Sequence, residues 1–172
     1  MIELVQTTVL PASPEQVWRF FVEMDDNYQD VHPEHLVWRT LSGKPLREGT
    51  VWFADEWVGP LRVSSRFFTE KAEPGHFFSY RVGFPGRLVG AGGSFRFTPT
   101  AEGHCQMREE VHFGFKIPVL SLVLDRLLAL FLPIEEFRRH IREEGKNLAA
   151  LFSQEPTPSS KEDSAPAEIG QQ

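Results

Sequence analysis

The chain has 172 residues, of which 41% are hydrophobic and 12% aromatic, so it can bury one ordinary core. Lys and Arg total 18 against 24 Asp and Glu, and the formal net charge is -6. This balance excludes the basic surface that binds phosphate backbones, and we expect no nucleic-acid partner. The single cysteine, Cys105, excludes an internal disulfide and favours a cytoplasmic location.

The first elements predicted along the chain are a strand and a helix. Residues 3–10 alternate apolar and polar side chains, as a half-buried strand does, and lack the continuous apolar run of a secretory signal. Ser13, Pro14 and Gln16 then supply an N-cap, a proline for the first helical turn and a capping-box partner. The sequence therefore predicts a helix over residues 14–24.

Six further segments, rich in Val, Phe, Trp and Tyr, predict a meander of antiparallel strands. They cover residues 36–41, 50–58, 61–69, 76–83, 89–98 and 105–115. Turn signals such as Gly59-Pro60 and Pro74-Gly75 separate them at the spacing of hairpins. Two predicted helices, residues 119–131 and 134–152, follow the last strand.

The end of the chain differs in composition from the rest. Residues 153–172 are rich in proline and serine and carry one large apolar side chain, Ile169. We expect a disordered tail there, after a single domain of residues 1–152. The apolar stretch 117–134 holds Asp125 and Arg126 at its middle, where charges are costly in lipid. We therefore expect it to pack against the fold rather than to contact a membrane.

This order of elements, with phenylalanine-rich strands, resembles the START-like helix-grip superfamily, also called SRPBCC. The superfamily includes polyketide cyclases, lipid-transfer domains and some hydrolases. The resemblance implies an α+β fold in which a curved antiparallel sheet of about seven strands surrounds a long C-terminal helix. A cavity for a small apolar or aromatic ligand is expected between the sheet and the helix.

Two polar residues fall on the apolar face of the predicted terminal helix. His140 and Glu144 lie on the same side as Ile141 and Leu148 when successive residues are rotated by 100°. They are four residues apart, so both side chains can converge on one atom, as a metal site or a hydrogen-bonded pair requires. Taken alone, an ion pair at the edge of the core is the simpler interpretation.

Two histidines, His32 and His35, lie in a short segment between the first helix and the second strand. Pro33 disfavours helical geometry at His32, so we expect both histidines to project from a stiff loop at the cavity mouth. Histidines in a surface loop are usually solvated. Loops held by a rigid scaffold are nevertheless where functional groups concentrate.

An acidic pair, Asp55 and Glu56, interrupts an aromatic strand. Alternation sends the two side chains to opposite faces, so one carboxylate points inward, although the pattern does not indicate which. An inward carboxylate needs a metal or a cation such as Arg62 or Arg66. Glu109 alternates with apolar residues of the last strand and is a further candidate for an inner acid.

Together these residues resemble the diacetylphloroglucinol hydrolase family, a branch of the superfamily. Its members have an aromatic residue before an H-P-x-H-like loop, a glutamate on an inner strand and a His-x-x-x-Glu helix around zinc. The matching positions in this sequence are Tyr28, His32, Pro33, His35, Glu56, His140 and Glu144. The resemblance implies a zinc site held by His35, Glu56, His140 and Glu144, with His32 as the alternative to His35. Manganese or iron(II) suits the same ligand types.

The resemblance also implies a reaction, the hydrolysis of a carbon–carbon bond between an acyl group and an electron-rich ring. Tyr28 would contact the substrate, and His32 and Glu56 are further catalytic candidates. Two other hypotheses fit the same residues. One is a metal-free carrier of an apolar ligand, and the other is a metal-free polyketide cyclase or dehydratase with Tyr28, Glu56 and His140 as acid–base groups.

Overall fold

The structure is a computed structural model that describes residues 1–114 and 132–154. Within these ranges the chain forms seven strands and three α-helices. The strands are β1 (Ile2–Leu10), β2 (His35–Ser42), β3 (Val51–Val58), β4 (Leu61–Glu73), β5 (Phe77–Val82), β6 (Gly92–Pro99) and β7 (Cys105–Phe113). The helices are α1 (Pro14–Val22), α2 (Met24–Val31) and α3 (Ile134–Ser153), and a short 3-10 helix spans Gly86–Val89.

The strands form one antiparallel sheet in the order β1-β7-β6-β5-β4-β3-β2. Strands β2 to β7 pair with their neighbours in sequence, which short hairpin connections allow. The first strand pairs with the last, from Ile2 opposite Phe113 to Leu10 opposite Cys105. This curved sheet with its long C-terminal helix confirms the predicted α+β helix-grip fold.

The helical region after β1 differs from the prediction of one helix over residues 14–24. Helix α1 begins as predicted, because the Ser13 hydroxyl accepts a hydrogen bond from the Gln16 backbone N–H and the Gln16 side chain accepts one from the Ser13 N–H. It ends at Val22, and the chain turns at Glu23, where φ is -93° and ψ is 21°. A second helix, α2, then continues to Val31 and brings Tyr28 into the interior.

Helix α3 lies between β1 and α2. At Gly145 it approaches β1 so closely that any side chain at this position would collide with Thr8. On the α2 side, the Asn147 Nδ2 atom donates a hydrogen bond of 2.9 Å to the Val31 carbonyl oxygen. These contacts fix the rotation of the helix, and His140 consequently faces the interior.

Aromatic side chains fill the core between α1 and the sheet. Phe78 is completely buried, and its ring centroid lies 5.0–6.5 Å from those of five other aromatic side chains: Trp18, Phe21, Tyr80, Phe95 and Phe97. A smaller cluster of Leu4, Phe113 and Ile141 packs where α3 crosses the sheet. The space between α1 and the sheet is therefore closely packed.

Two of the sequence predictions lie outside the described residues. They are the helix of residues 119–131 and all but the first two residues of the tail of residues 153–172. Both stay predictions. None of the helices in residues 1–114 and 132–154 is long and apolar enough to cross a membrane.

Candidate functional site

A cavity of about 340 Å³ lies between the sheet and α3. Most of its wall is aromatic or aliphatic, with Trp38, Trp52 and Phe67 among the contributing side chains. Trp52 stacks between the other two rings, at centroid distances of 3.7 and 4.1 Å. Such a wall suits a flat apolar ligand, and the few polar groups that face the cavity would determine its orientation.

Four of the predicted site residues meet at one side of the cavity, where three of them line the wall and His35 lies directly against these three. Strands β2 and β3 place His35 directly opposite Glu56, and α3 contributes His140 and Glu144 from successive turns. His35 Nε2 lies 3.2 Å from Glu144 Oε1, 3.3 Å from His140 Nε2 and 3.4 Å from Glu56 Oε2. His140 Nε2 lies 3.9 Å from Glu56 Oε2. We call these four side chains the His–Glu cluster.

The outer nitrogen of each histidine in the His–Glu cluster has its own acceptor. His35 Nδ1 lies 3.0 Å from the Tyr28 carbonyl oxygen, and His140 Nδ1 lies 3.0 Å from Glu34 Oε2. Because these oxygens only accept, we assign the ring proton of each neutral imidazole to Nδ1. Both Nε2 lone pairs therefore point into the cluster, which is the arrangement of metal-binding histidines.

The distances within the His–Glu cluster fit a small cation. Two imidazole lone pairs and two carboxylates repel one another unless a proton or a metal ion lies between them. In a tetrahedral zinc site with bonds of about 2.0–2.1 Å, neighbouring ligand atoms lie roughly 3.3–3.4 Å apart. The three separations measured from His35 Nε2 agree with this spacing, and the 3.9 Å between His140 Nε2 and Glu56 Oε2 is longer. Zinc accepts this combination of imidazole and carboxylate ligands.

The same groups attract a proton. Burial alone lowers the pKa of His35, but the hydrogen bond and charge of Glu144, with the charge of Glu56, outweigh it and raise the pKa above its usual range. Burial raises the pKa of Glu144, and the contact with His35 more than reverses this, so that its pKa is lowered. A cation between the two residues, either a proton or a metal ion, is therefore electrostatically favoured.

Tyr28 holds one carboxylate of the His–Glu cluster in place. It lies in the last turns of α2, its hydroxyl donates a short hydrogen bond to Glu56 Oε2, and its ring stacks on His35 at a centroid distance of 3.9 Å. Burial, together with the charge of Glu56, raises the pKa of Tyr28 well above its usual value. Burial also raises the pKa of Glu56, in spite of the nearby His35. The phenol therefore keeps its proton at neutral pH.

The prediction that His32 and His35 project from a loop at the cavity mouth is wrong in two respects. Helix α2 continues to Val31, and His35 already begins β2, so little loop remains. Both histidines are buried, with 2% and 4% of their surfaces exposed, because α2 and α3 cover them. Pro33 has the expected local effect, since His32 leaves the helix with φ -152° and ψ 138°.

His32 lies behind the His–Glu cluster. Its Nδ1 accepts a hydrogen bond from the Glu34 backbone N–H at 3.1 Å, and its Nε2 lies 3.2 Å from Glu143 Oε2. The three histidines 32, 35 and 140 offer ring nitrogens within 4.8 Å of one another, but both nitrogens of His32 already have partners. In the described part of the chain, neither His32 nor His35 is among the side chains that line the cavity, but only His35 contacts the cavity-lining carboxylates of Glu56 and Glu144.

The open question of which acidic residue on β3 points inward has a clear answer. Glu56 faces the cavity, whereas Asp55 accepts two hydrogen bonds from the Arg62 guanidinium, at 2.9 and 2.6 Å. This contact lowers the pKa of Asp55. Asp55 is therefore the structural member of the pair, and Arg62 is the partner that the sequence left open.

Sequence reasoning missed Glu34. Its carboxylate accepts hydrogen bonds from His140 Nδ1 at 3.0 Å and from Arg139 Nη2 at 3.2 Å. Burial raises the pKa of Glu34, but these two contacts outweigh it, and the net pKa is lowered. An ionised Glu34 thus orients the His140 ring. A glutamate between two histidines in the sequence gives no signal of this role, because both partners lie on α3.

A curved antiparallel sheet that encloses an apolar cavity against a long helix defines the helix-grip class of proteins. The described residues have this architecture, with a polar cluster at one point of the cavity wall. The chain belongs to the polyketide cyclase/dehydrase and lipid transport family, whose family model matches residues 1–152. This finding confirms the resemblance at the level of the superfamily.

Solved structures of the same fold include proteins from bacteria and plants. The ZhuI aromatase/cyclase from Streptomyces sp. R1128 is 13% identical with a TM-score of 0.63, and 88% of this chain and 93% of that one are covered. A norcoclaurine synthase point mutant from Thalictrum flavum is 11% identical with a TM-score of 0.64, and 88% of this chain and 94% of that one are covered. The protein TTHA0849 from Thermus thermophilus is 14% identical with a TM-score of 0.61, with 88% and 97% covered. No curated protein sequence matches this chain significantly. These identities show a shared fold alone.

Proposed function

We propose that this protein is a metal-dependent hydrolase of an aromatic or polyketide-like acyl compound, with zinc as the metal. The observation that supports this proposal best is the convergence of three groups on His35 Nε2 at 3.2–3.4 Å, the spacing of zinc ligands, beside an apolar cavity. The three groups belong to Glu56, His140 and Glu144. Membership of a polyketide cyclase/dehydrase family supports the class of ligand.

The reaction adds water across the bond between the acyl carbon and the ring carbon. The acyl group leaves as a carboxylic acid, and the ring carbon takes up a proton. Zinc at such a site supplies polarisation of a carbonyl group and acidification of water. The four residues of the His–Glu cluster would hold it.

The chain's own groups supply orientation and proton transfer. Trp38 and Trp52 form an aromatic wall against which a ring can lie, and the apolar lining excludes bulk water. Glu56 lines the cavity and accepts a hydrogen bond from the Tyr28 hydroxyl, so both side chains lie next to the reacting group. Glu56 is accordingly the candidate general base, and Tyr28 is the candidate donor to the substrate.

Metal content tests the proposal directly. We expect mass spectrometry of the protein, purified without an affinity tag, to find about one zinc ion per chain. The variants His140→Ala and Glu56→Ala should lose it, because each removes a ligand. His76→Ala, a change at an exposed histidine outside the cluster, is the matched control and should retain it. A wild-type protein that binds no metal even after reconstitution would refute the hydrolase proposal.

The contact of Glu34 with His140 predicts a partial loss of zinc affinity when Glu34 is changed. Glu34→Gln should weaken zinc binding by about 10- to 100-fold, because an amide orients and polarises His140 less well than a carboxylate does. Competition with a chromogenic chelator measures this change. Glu135→Gln, which alters an exposed glutamate paired with Arg138 on the same helix, should bind zinc as the wild type does. Equal affinities for all three proteins would exclude a positioning role for Glu34.

A second candidate function rests on the proton affinity of the same cluster. The raised pKa of His35 and its 3.2 Å contact with Glu144 suit a metal-free cyclase or dehydratase, in which this pair and Tyr28 exchange protons with a ligand. The family description and the aromatase/cyclase among the structural neighbours support it. A metal-free wild-type protein that binds aromatic polyketides would favour this function over hydrolysis.

A further inference from the structure

A buried carboxyl group outside the His–Glu cluster has no assigned role. Glu109 lies on β7, lines the cavity and has 3% of its surface exposed. Among the described residues, its Oε2 atom has no hydrogen-bond partner. Burial without a hydrogen-bond partner is unfavourable for a polar atom, so a group of this kind inside a cavity calls for a ligand partner.

The sheet register brings a second polar group to the same region. Tyr80 on β5 pairs with Gly93 on β6, and Gly93 in turn pairs with Val111 on β7. Glu109 lies two residues before Val111 on the same strand, so its side chain is on the same face of the sheet. A Cβ atom at Gly93 would lie 2.5 Å from the Tyr80 hydroxyl oxygen. The hydroxyl therefore occupies the space that the missing side chain leaves, and Tyr80 extends across β6 towards β7.

Trp52 adds an unsatisfied donor next to Tyr80. The two rings meet edge to face at a centroid distance of 5.5 Å, and both side chains line the cavity. Among the described residues, the indole Nε1 atom is buried without a hydrogen-bond partner. The cavity thus offers polar groups on β3, β5 and β7 in addition to the His–Glu cluster.

The electrostatic setting favours a neutral partner for Glu109. Burial, with a contribution from the charges of Glu144 and Glu56, raises the pKa of Glu109 well above its usual range. Burial also raises the pKa of Tyr80. A carboxyl group in either protonation state accepts a hydrogen bond from a ligand hydroxyl, and the Tyr80 phenol both donates and accepts one.

We propose that Glu109 and Tyr80 form a second polar subsite, which binds a hydroxyl group of an aromatic ligand. The ligand class is then a hydroxylated aromatic compound that places its hydroxyl group against β5 and β7 and its reacting group against the His–Glu cluster. The position of the reacting group rests on the proposed function. The hydroxyl subsite does not, because none of its residues belongs to the His–Glu cluster.

Two probes of nearly equal size test the subsite. We expect the wild-type protein to bind 2-naphthol about 10-fold more tightly than 2-methoxynaphthalene, which cannot donate a hydrogen bond. The dissociation constants are measured by calorimetry. Glu109→Leu, which preserves size and removes the polar atoms, should abolish the preference. Tyr80→Phe removes one hydroxyl group and should reduce it, even if Glu109→Leu fails to fold.

A control variant in the His–Glu cluster separates this inference from the proposed function. His140→Ala removes a member of the His–Glu cluster and should retain the preference for 2-naphthol. Loss of the preference in His140→Ala, with no change in Glu109→Leu and Tyr80→Phe, would place the hydroxyl group at the cluster and overturn the subsite. Failure of the wild type to bind 2-naphthol would overturn it as well. A metal-free wild type that shows the expected preference would refute the hydrolase and leave the subsite intact.

Discussion

If the protein is the hydrolase proposed above, Glu56→Gln is expected to slow the hydrolysis of an acylphenol such as 2,4-diacetylphloroglucinol by about 10²- to 10⁴-fold. Glutamine preserves the size of the side chain and its position opposite His35. It cannot take up a proton, and it is a poorer metal ligand than a carboxylate. The measurement is the initial rate of acetate release at several substrate concentrations, with zinc content determined on the same samples.

The neighbouring residue provides a matched control for this experiment. Asp55→Asn makes the same chemical change one position earlier, on the opposite face of β3, where the carboxylate contacts Arg62. This variant should hydrolyse the acylphenol at close to the wild-type rate. Equal losses in both variants would indicate that the strand, and not the inward carboxylate, matters for activity.

The fold could be predicted from the sequence because its signals are local. Alternation and glycine-containing turns mark each strand, and the pairing of sequential strands follows from short connections. The separation of α1 from α2 could not be predicted in this way. Asp25, Asp26 and Asn27 resemble a turn, yet they belong to a helix, and Asp25 accepts hydrogen bonds from the Thr40 backbone N–H and hydroxyl. That contact with β2 is tertiary, and no local pattern reports it.

The site could be predicted in part, for the same physical reason. His140 and Glu144 share one face of a helix, and the 3.6-residue period reveals this directly. The meeting of His35 with His140 joins residues 105 positions apart, and it became an expectation only through resemblance to a known family. The contact of Glu34 with His140 spans 106 positions and escaped prediction, because it depends on the side-chain rotamers of two packed elements.

Among the core residues, Phe78 has the largest expected effect on stability. It is the second residue of β5, the central strand of the sheet, has 0% of its surface exposed and contacts aromatic side chains from α1, β5 and β6. Phe78→Ala should therefore lower the free energy of unfolding by about 3–5 kcal/mol, since the surrounding rings cannot all move to fill the space. Urea denaturation followed by circular dichroism measures this loss.

An exposed apolar residue shows whether burial is the cause of the Phe78 effect. Leu88 lies in the 3-10 helix between β5 and β6 and has 62% of its surface exposed. Leu88→Ala should change the free energy of unfolding by less than about 0.5 kcal/mol. A loss below about 1 kcal/mol in Phe78→Ala would contradict a rigid core, because it would require neighbouring rings to fill the space without strain. A loss of the full size implies instead that the rings around Phe78 are held in place by their own packing.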